Sequence, residues 1–426
     1  MQAKEDPRHR VRREPLLSRR KFLSTSASAV GVAGVVAASP SYGDDLRDVP
    51  ARALGDELTP SSKRSQYESI ARIPEAGPGI REVDPADAIN SKAPLHKFVG
   101  TITPSDLHYE RSHAGVPDLD PSSHRLLIHG MTERSIVLTM DEIRSMPSIS
   151  RIAFLECTGN GWENWKRADE NLTVQNTHGL VSTHEWTGVP LSYVIDLVNK
   201  DRGSTWMLAE GGDGAAVARS IPLTDEIMSE AILAYGQNGE ALRPAHGYPL
   251  RLLIPGWEGN LSIKWLRRLK FGDRPFMTRW ETARYTQLLP SGKARQFQLV
   301  QETNSVITFP SGTMHINSGY HRISGLAWSG YGAISKVEVS TDGGSTWRDA
   351  QLSHPVLPKA QVRFEIDWQW DGQPTSIRSR STDDKGNVQP DRKTFIAMMG
   401  TNALFHYNAQ QTWAISGTGA VRNVLE

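Results

Sequence analysis

Ile323-Ser324-Gly325-Leu326-Ala327-Trp328 and Ser335-Lys336-Val337-Glu338-Val339-Ser340 alternate apolar with polar residues, and Asp342-Gly343-Gly344 turns the chain before Thr346-Trp347. A period of two sends one face of an extended chain into a core and the other into water, so each run predicts a half-buried strand. Val362-Arg363-Phe364-Glu365-Ile366-Asp367-Trp368 and Ser376-Ile377-Arg378-Ser379-Arg380 repeat the pattern. Strands at this spacing, separated by Gly/Asp turns, predict a β-sandwich for the C-terminal third.

We place this all-β domain at 292–426 and expect an immunoglobulin-like sandwich. Toward the N-terminus the character changes. Arg125-Leu126-Leu127-Ile128-His129-Gly130 reads as a strand, and Pro249 to Ile254 as a buried one. Thr139 to Met146 reads as a short helix with Thr139 as N-cap and Glu142 three residues on, a capping box. Leu191 to Val198 reads as another helix. This mixture predicts an α+β domain over 95–291. A length of 426 residues with 38% hydrophobic content accommodates two such domains.

Residues 1–21 hold eight Lys/Arg against three Asp/Glu and end in Ser18-Arg19-Arg20-Lys21, ahead of Phe22-Leu23. An uncharged Ala/Val/Ser/Gly stretch follows from Ser24 to Gly43. We read 1–43 as a signal peptide of twin-arginine type and expect export to the periplasm. Ala, Gly and Ser are too weakly apolar for a stable membrane span. Residues 44–94 are polar and rich in Pro, Gly and charge, which predicts a linker or extended arm with little regular structure. Beyond the first two dozen residues no dense basic run occurs and the net charge is +1, which argues against nucleic-acid binding.

The chain has one cysteine, Cys157. That excludes an intrachain disulfide, a CxxCH haem attachment and a multi-cysteine cluster. Cys157 sits in Phe154-Leu155-Glu156-Cys157-Thr158-Gly159-Asn160-Gly161, where an apolar approach delivers a thiol into a Gly/Asn loop. A thiolate there suits a soft or high-valent metal. Taken alone, the loop reads more readily as a buried structural cysteine, the usual state of a free thiol. A second cluster runs Arg243-Pro244-Ala245-His246-Gly247-Tyr248-Pro249-Leu250-Arg251 and on to Ser262-Ile263-Lys264-Trp265. Its cationic groups, with few acids beside them, suit a phosphate and a polar heterocycle edge. A third, Tyr109-Glu110-Arg111-Ser112-His113, could hold an oxyanion, or Glu110 could simply pair with Arg111.

In order and spacing these stretches resemble the sulfite oxidase family from roughly Leu95 to the C-terminus. The resemblance implies a molybdenum–molybdopterin cofactor with Cys157 as the metal ligand. It implies pterin contacts from Tyr109, Arg111, Ser112, His113, Asp213, His246, Arg251, Ser262, Ile263 and Lys264. It also implies catalytic roles for Arg111, Cys157, Tyr285 and Trp186, the last as a pocket tryptophan. Ser112 stands where the family's aromatic-x-Arg-Asn-His loop has Asn. Ala327-Trp328-Ser329-Gly330, Val337 to Gly344 and Asp383 to Pro390 resemble the family's C-terminal dimerisation domain, which implies a homodimer.

Two departures matter. Sulfite-oxidising members place an arginine a few residues past the cysteine, where this chain has Gly161-Trp162-Glu163-Asn164-Trp165. About ten residues, including Lys166-Arg167-Ala168-Asp169, are also inserted before Trp186. Both bring the chain closer to the sulfane dehydrogenase subunits of bacterial sulfur oxidation, whose substrate sulfur rides on a carrier protein. The activity implied is oxidation of sulfite or protein-bound sulfane sulfur by oxo transfer. With no haem in this chain, electrons are expected to pass to a separate cytochrome c. Two other readings stand beside it: a molybdenum S- or N-oxide reductase, against which the extra β-domain argues, and a non-catalytic binding protein.

Overall fold

The computed structural model describes residues 63–65, 67–76, 89–166 and 169–426. The proposed signal peptide, much of the 44–94 segment and Arg167-Ala168 of the insertion lie outside the described residues. The chain divides into two units, Met1–Ser65 and Gln66–Glu426, and the second holds every strand and helix described below.

Ahead of the C-terminal strands two five-stranded sheets carry the fold. One runs Glu240–Ala241, Ile232–Gln237, Val181–Pro190, Ile149–Glu156, all antiparallel, with Arg251–Leu253 also paired to Ile232–Gln237. The other runs Ile136–Thr139, Arg125–Gly130, Leu266–Gly272, Trp206–Gly211, Ala218–Pro222, where only Leu266–Gly272 and Arg125–Gly130 pair in parallel. Short helices sit between strands. Met140–Ser145 begins at the expected capping box, with the Thr139 hydroxyl accepting from the Glu142 N–H. Leu191–Leu197 buries Leu191, Val194 and Ile195, the i, i+3, i+4 spacing of one apolar face. The two halves of the fold class follow as expected, α+β and then β-rich.

From Asn304 onward the strands form a four-stranded and a five-stranded antiparallel sheet. The first has the order Asn304–Phe309, Gly319–Trp328, Val362–Trp370, Gln351–Leu352. The second has the order Arg348–Asp349, Ile334–Ser340, Thr375–Asp383, Thr412–Ile415, Val421–Val424. All four alternating runs are strands here, and one helix, Arg392–Met399, is added. The apolar core does not stop between the two halves. A single buried cluster joins Phe154, Leu155 and Trp186 to Val306, Trp328, Phe364 and Trp413.

The arm differs from expectation. Ile73–Ala76 and Ile89–Lys92 pair antiparallel, and Ile89–Lys92 pairs again with Glu110–Arg111, so residues whose composition predicts a linker supply two strands of a three-stranded sheet. Polar composition hides this. Asn90, Ser91 and Lys92 are all buried, and Lys92 Nζ donates to Glu163 at 2.6 Å and to the Asn176 carbonyl at 2.9 Å. Backbone pairing and a buried ion pair hold the strand, and neither leaves a hydrophobic period.

Candidate active site

The Ile149–Glu156 strand becomes wholly buried over its last four residues and ends where Glu156 pairs with Val181. Cys157 continues the ladder by one bond, its N–H donating to the Leu180 carbonyl at 2.9 Å. The chain then turns: Asn160 N–H donates to the Cys157 carbonyl at 2.8 Å. The Asn160 side chain locks that turn, Nδ2 donating to Glu156 at 2.9 Å and Oδ1 accepting from Leu180 N–H at 3.1 Å. Asn160 in the Cys-x-Gly-Asn segment is therefore a brace that fixes where the thiol points. Glu156 is in turn held by Trp328 Nε1 at 2.8 Å, which ties the signature tryptophan of the C-terminal domain to the residue before Cys157.

The thiol lies on the wall of two cavities. The first encloses about 690 Å³, part of it open to solvent, and is lined by Tyr109, Arg111, Ser112, His113, Cys157, Asp213, Arg251, Ser262, Ile263, Lys264 and Tyr285. The structure thus gathers all but two of the residues named from sequence. His246 stands just behind the wall, its ring 4.3 Å from that of His108, which does line the cavity. Trp186 is fully buried and lines neither cavity; its ring backs the Arg251 guanidinium at 4.9 Å. The pocket position expected for Trp186 is corrected to a supporting one, because its strand alternation turns the ring into the core.

Burial sets the protonation states. Arg251 donates to the carbonyls of His246 and Ser262 at 2.8 and 2.9 Å, and desolvation draws its pKa down to about 10. Lys264 donates to the carbonyls of Ala245 and Arg111 at 2.9 and 3.2 Å, and desolvation draws it down to about 7. His113 falls to about 2, first through burial and then through Arg111, so the ring is neutral. Arg111 Nη2 donates to His113 Nδ1 at 3.0 Å; since arginine only donates, the ring proton sits on Nε2 and points at the Tyr285 hydroxyl 3.4 Å away. Burial pushes Tyr285 up to about 12, which keeps its phenol protonated. Burial also raises the Cys157 thiol, while the Gly159 N–H and Arg111 oppose that rise. A bound metal would reverse the balance, since it coordinates the thiolate.

Several buried polar atoms around the first cavity have no protein partner: Asp213 Oδ2, Arg251 Nε, Asn260 Nδ2 and, behind the wall, His246 Nε2. An unmade buried hydrogen bond costs about 1–3 kcal/mol, so a cluster of four is the imprint of a polar ligand. Three cations and a lone Asp213 favour an anionic end on that ligand, and Cys157 offers a soft donor at the other. This donor set fits a phosphate-bearing pterin with a thiolate-bound metal.

The second cavity, a vestibule of about 1110 Å³ including space open to solvent, shares Arg111, His113, Cys157 and Tyr285 with the first. Its other walls are largely apolar: Trp162, Leu180, Trp280, Leu404 and Phe405, with Arg284 beside them. Sequence reading missed Arg284, Leu404, Phe405 and a buried chain of charge beneath them. In that chain Arg219 bonds Glu281 at 2.9 Å and Glu258 at 3.2 Å and lies 4.7 Å from the centre of the Tyr285 ring. Glu258 then meets His406 at 2.6 Å, and His406 meets Glu302 at 2.8 Å. The partners are far apart in sequence, and no local spacing announces them.

Residues 113–280 match the family described as oxidoreductase molybdopterin binding domain, and 295–412 match the Mo-co oxidoreductase dimerisation domain. Mitochondrial sulfite oxidase of Mus musculus is 32% identical over 377 residues, covering 81% of this chain and 68% of that protein. An NADH nitrate reductase of Ulva prolifera is 31% identical over 356 residues, covering 72% of this chain and 40% of that protein. Among solved structures, the sulfane dehydrogenase SoxCD from Paracoccus pantotrophus superposes with a TM-score of 0.81 at 36% identity, covering 90% of this chain and 99% of that one. With a thiol on the wall of a cavity that carries three cations and several unpartnered buried polar atoms, and with matches over both halves, the chain belongs to the sulfite oxidase family of molybdopterin oxidoreductases.

Proposed function

We propose that this enzyme is a periplasmic dehydrogenase that oxidises sulfur donors, with Cys157 as the molybdenum ligand. One observation carries the reading: Cys157, Arg111, His113 and Tyr285 form the wall shared by a cavity lined by Arg251, Lys264 and Asp213 and a vestibule lined by Trp162, Trp280, Leu404 and Phe405. When bound, the molybdenum–molybdopterin group supplies oxygen-atom transfer and two-electron storage. The chain's own residues do the rest. Arg251, Lys264, Asp213, Ser262, Ile263 and His246 hold the pterin and its phosphate, with Tyr109, Ser112 and His113 closing the near side. Arg111 faces both cavities and orients the oxyanion end of the substrate. The protonated Tyr285 hydroxyl, held by His113, donates a hydrogen bond at the reacting oxygen and moves a proton there.

The net conversion joins one sulfur to the oxygen of a water, releasing two protons and two electrons. The electrons leave singly to two molecules of cytochrome c, since this chain has no haem attachment motif. The twin-arginine stretch at Arg19-Arg20 supports export in a folded, cofactor-loaded state. The dimerisation domain supports a homodimer. Sulfite and sulfane sulfur on a carrier protein are the two candidate substrates; Trp162 in place of a cation, and the apolar vestibule, favour the carrier. A second reading, reduction of an N-oxide such as nitrate, is kept alive by the nitrate reductase match. That match covers 72% of the chain.

Steady-state reduction of cytochrome c tests the proposal, with sulfite, thiosulfate and a sulfane-loaded thiol carrier as donors. Turnover with at least one sulfur donor is expected, strongest with the carrier. No turnover with any of them, together with nitrate consumption by the reduced enzyme, would overturn it in favour of the reductase.

A further inference from the structure

The segment 404–406 belongs to the C-terminal part of the chain but faces the metal site. Ala403 and Tyr407, on either side of it, are anchored in a small core with Phe395 and Met399. Between those anchors Leu404 and Phe405 turn away from the core and line the vestibule that Cys157 and Arg111 share. Leu404 is 42% exposed, and the Phe405 ring lies 5.3 Å from that of Tyr285. Two adjacent apolar side chains thus line the cavity wall beside Cys157 and Arg111 instead of joining the small core.

His406 is what holds them there. Its backbone sits at φ +58°, a left-handed conformation costly for a side chain with a Cβ. Its N–H donates to the carbonyl of Thr158, the residue after Cys157, at 2.8 Å. Its ring is clamped between Glu258 at 2.6 Å and Glu302 at 2.8 Å. Such conformations persist only where surrounding bonds over-determine them, and they gather at functional sites.

Resting on the oxidation reading for the identity of the site, we propose that the segment 404–406 is a substrate-selecting wall. Phe405 meets the organic stem that carries the reacting sulfur, and His406 is the positioning residue that sets the wall against the metal loop. The ligand class is an oxyanion or sulfur head group on an apolar stem: Arg111 and Arg284 take the head, Phe405 and Leu404 the stem.

Calorimetric titration of the molybdenum-loaded enzyme with hexanesulfonate and with sulfate tests this without turnover. Wild type is expected to bind hexanesulfonate about tenfold tighter than sulfate, the gain from burying part of a six-carbon stem. Phe405→Ala should remove most of that ratio while sulfate affinity stays within about twofold, and Leu404→Ser should lower it less. His406→Gln should also collapse the ratio, with molybdenum content kept. If Phe405→Ala changes both affinities alike, or neither, the wall is overturned. If His406→Gln lowers only thermal stability and leaves the ratio intact, its positioning role is overturned. A hexanesulfonate preference in an enzyme that oxidises no sulfur donor would uphold the wall and overturn the oxidation reading instead.

Discussion

The Arg251 guanidinium donates to two carbonyls, those of His246 and Ser262, while its flat face rests on Trp186. A lysine cannot reproduce that fork or that stacking. Arg251→Lys should therefore cost about 3 kcal/mol of stability and lower molybdenum content, both measurable by thermal denaturation and metal analysis. Tyr285→Phe keeps the ring beside Arg219 and Phe405 but removes the hydroxyl; kcat should drop roughly a hundredfold with molybdenum content unchanged. Cys157, Arg251 and Lys264 are legible in the sequence because a lone thiol and a cluster of cations with few acids nearby are informative at short range. The Arg219, Glu258 and His406 chain is not legible, since each charge finds its partner across the fold and reads in sequence as an ordinary surface residue. Trp186 is misplaced for a related reason: sequence identifies an aromatic residue near a site but not which side of its strand faces the cavity.

Among the elements, the strands are the easiest to read and the arm the hardest. Alternation marks a strand with one wet face, as in Val362–Trp370, and the capping box marks the start of Met140–Ser145. The Ile89–Lys92 strand has neither, being held by ladder bonds and by Lys92 with Glu163. The turn at Gly256 shows how closely the elements of the two halves approach. Its φ is +75°, and a Cβ there would lie 2.5 Å from the Gly330 carbonyl oxygen. Gly256→Ala should destabilise the chain by roughly 3 kcal/mol or more, read as a lowered urea midpoint, whereas Thr139→Ala at the exposed helix cap should cost only about 1 kcal/mol. Equal effects would mean that the Gly256–Gly330 approach does not constrain the junction.

At the scale of the whole molecule, one buried cluster and one chain of charge run through both halves, so the Cys157 loop and the C-terminal strands form one mechanical object. His406 gives this a pH signature. Although burial works against it, Glu302 and Glu258 raise its pKa from 6.5 to about 10. The stabilisation is complete below about 6.5 and is lost as pH rises through 10, on the order of a few kcal/mol in all. Wild type should accordingly lose more stability between pH 7 and 10.5 than His406→Gln does; parallel pH profiles would contradict the ion chain. Under the proposed function, a bond from Cys157 to molybdenum at the wall shared by the two cavities is what makes this object an oxidoreductase. Molybdenum-edge X-ray absorption of the loaded wild type and of Cys157→Ser measures that bond most directly. The prediction is one fewer sulfur neighbour per molybdenum in the variant, and an unchanged sulfur count would contradict the assignment of Cys157 as ligand.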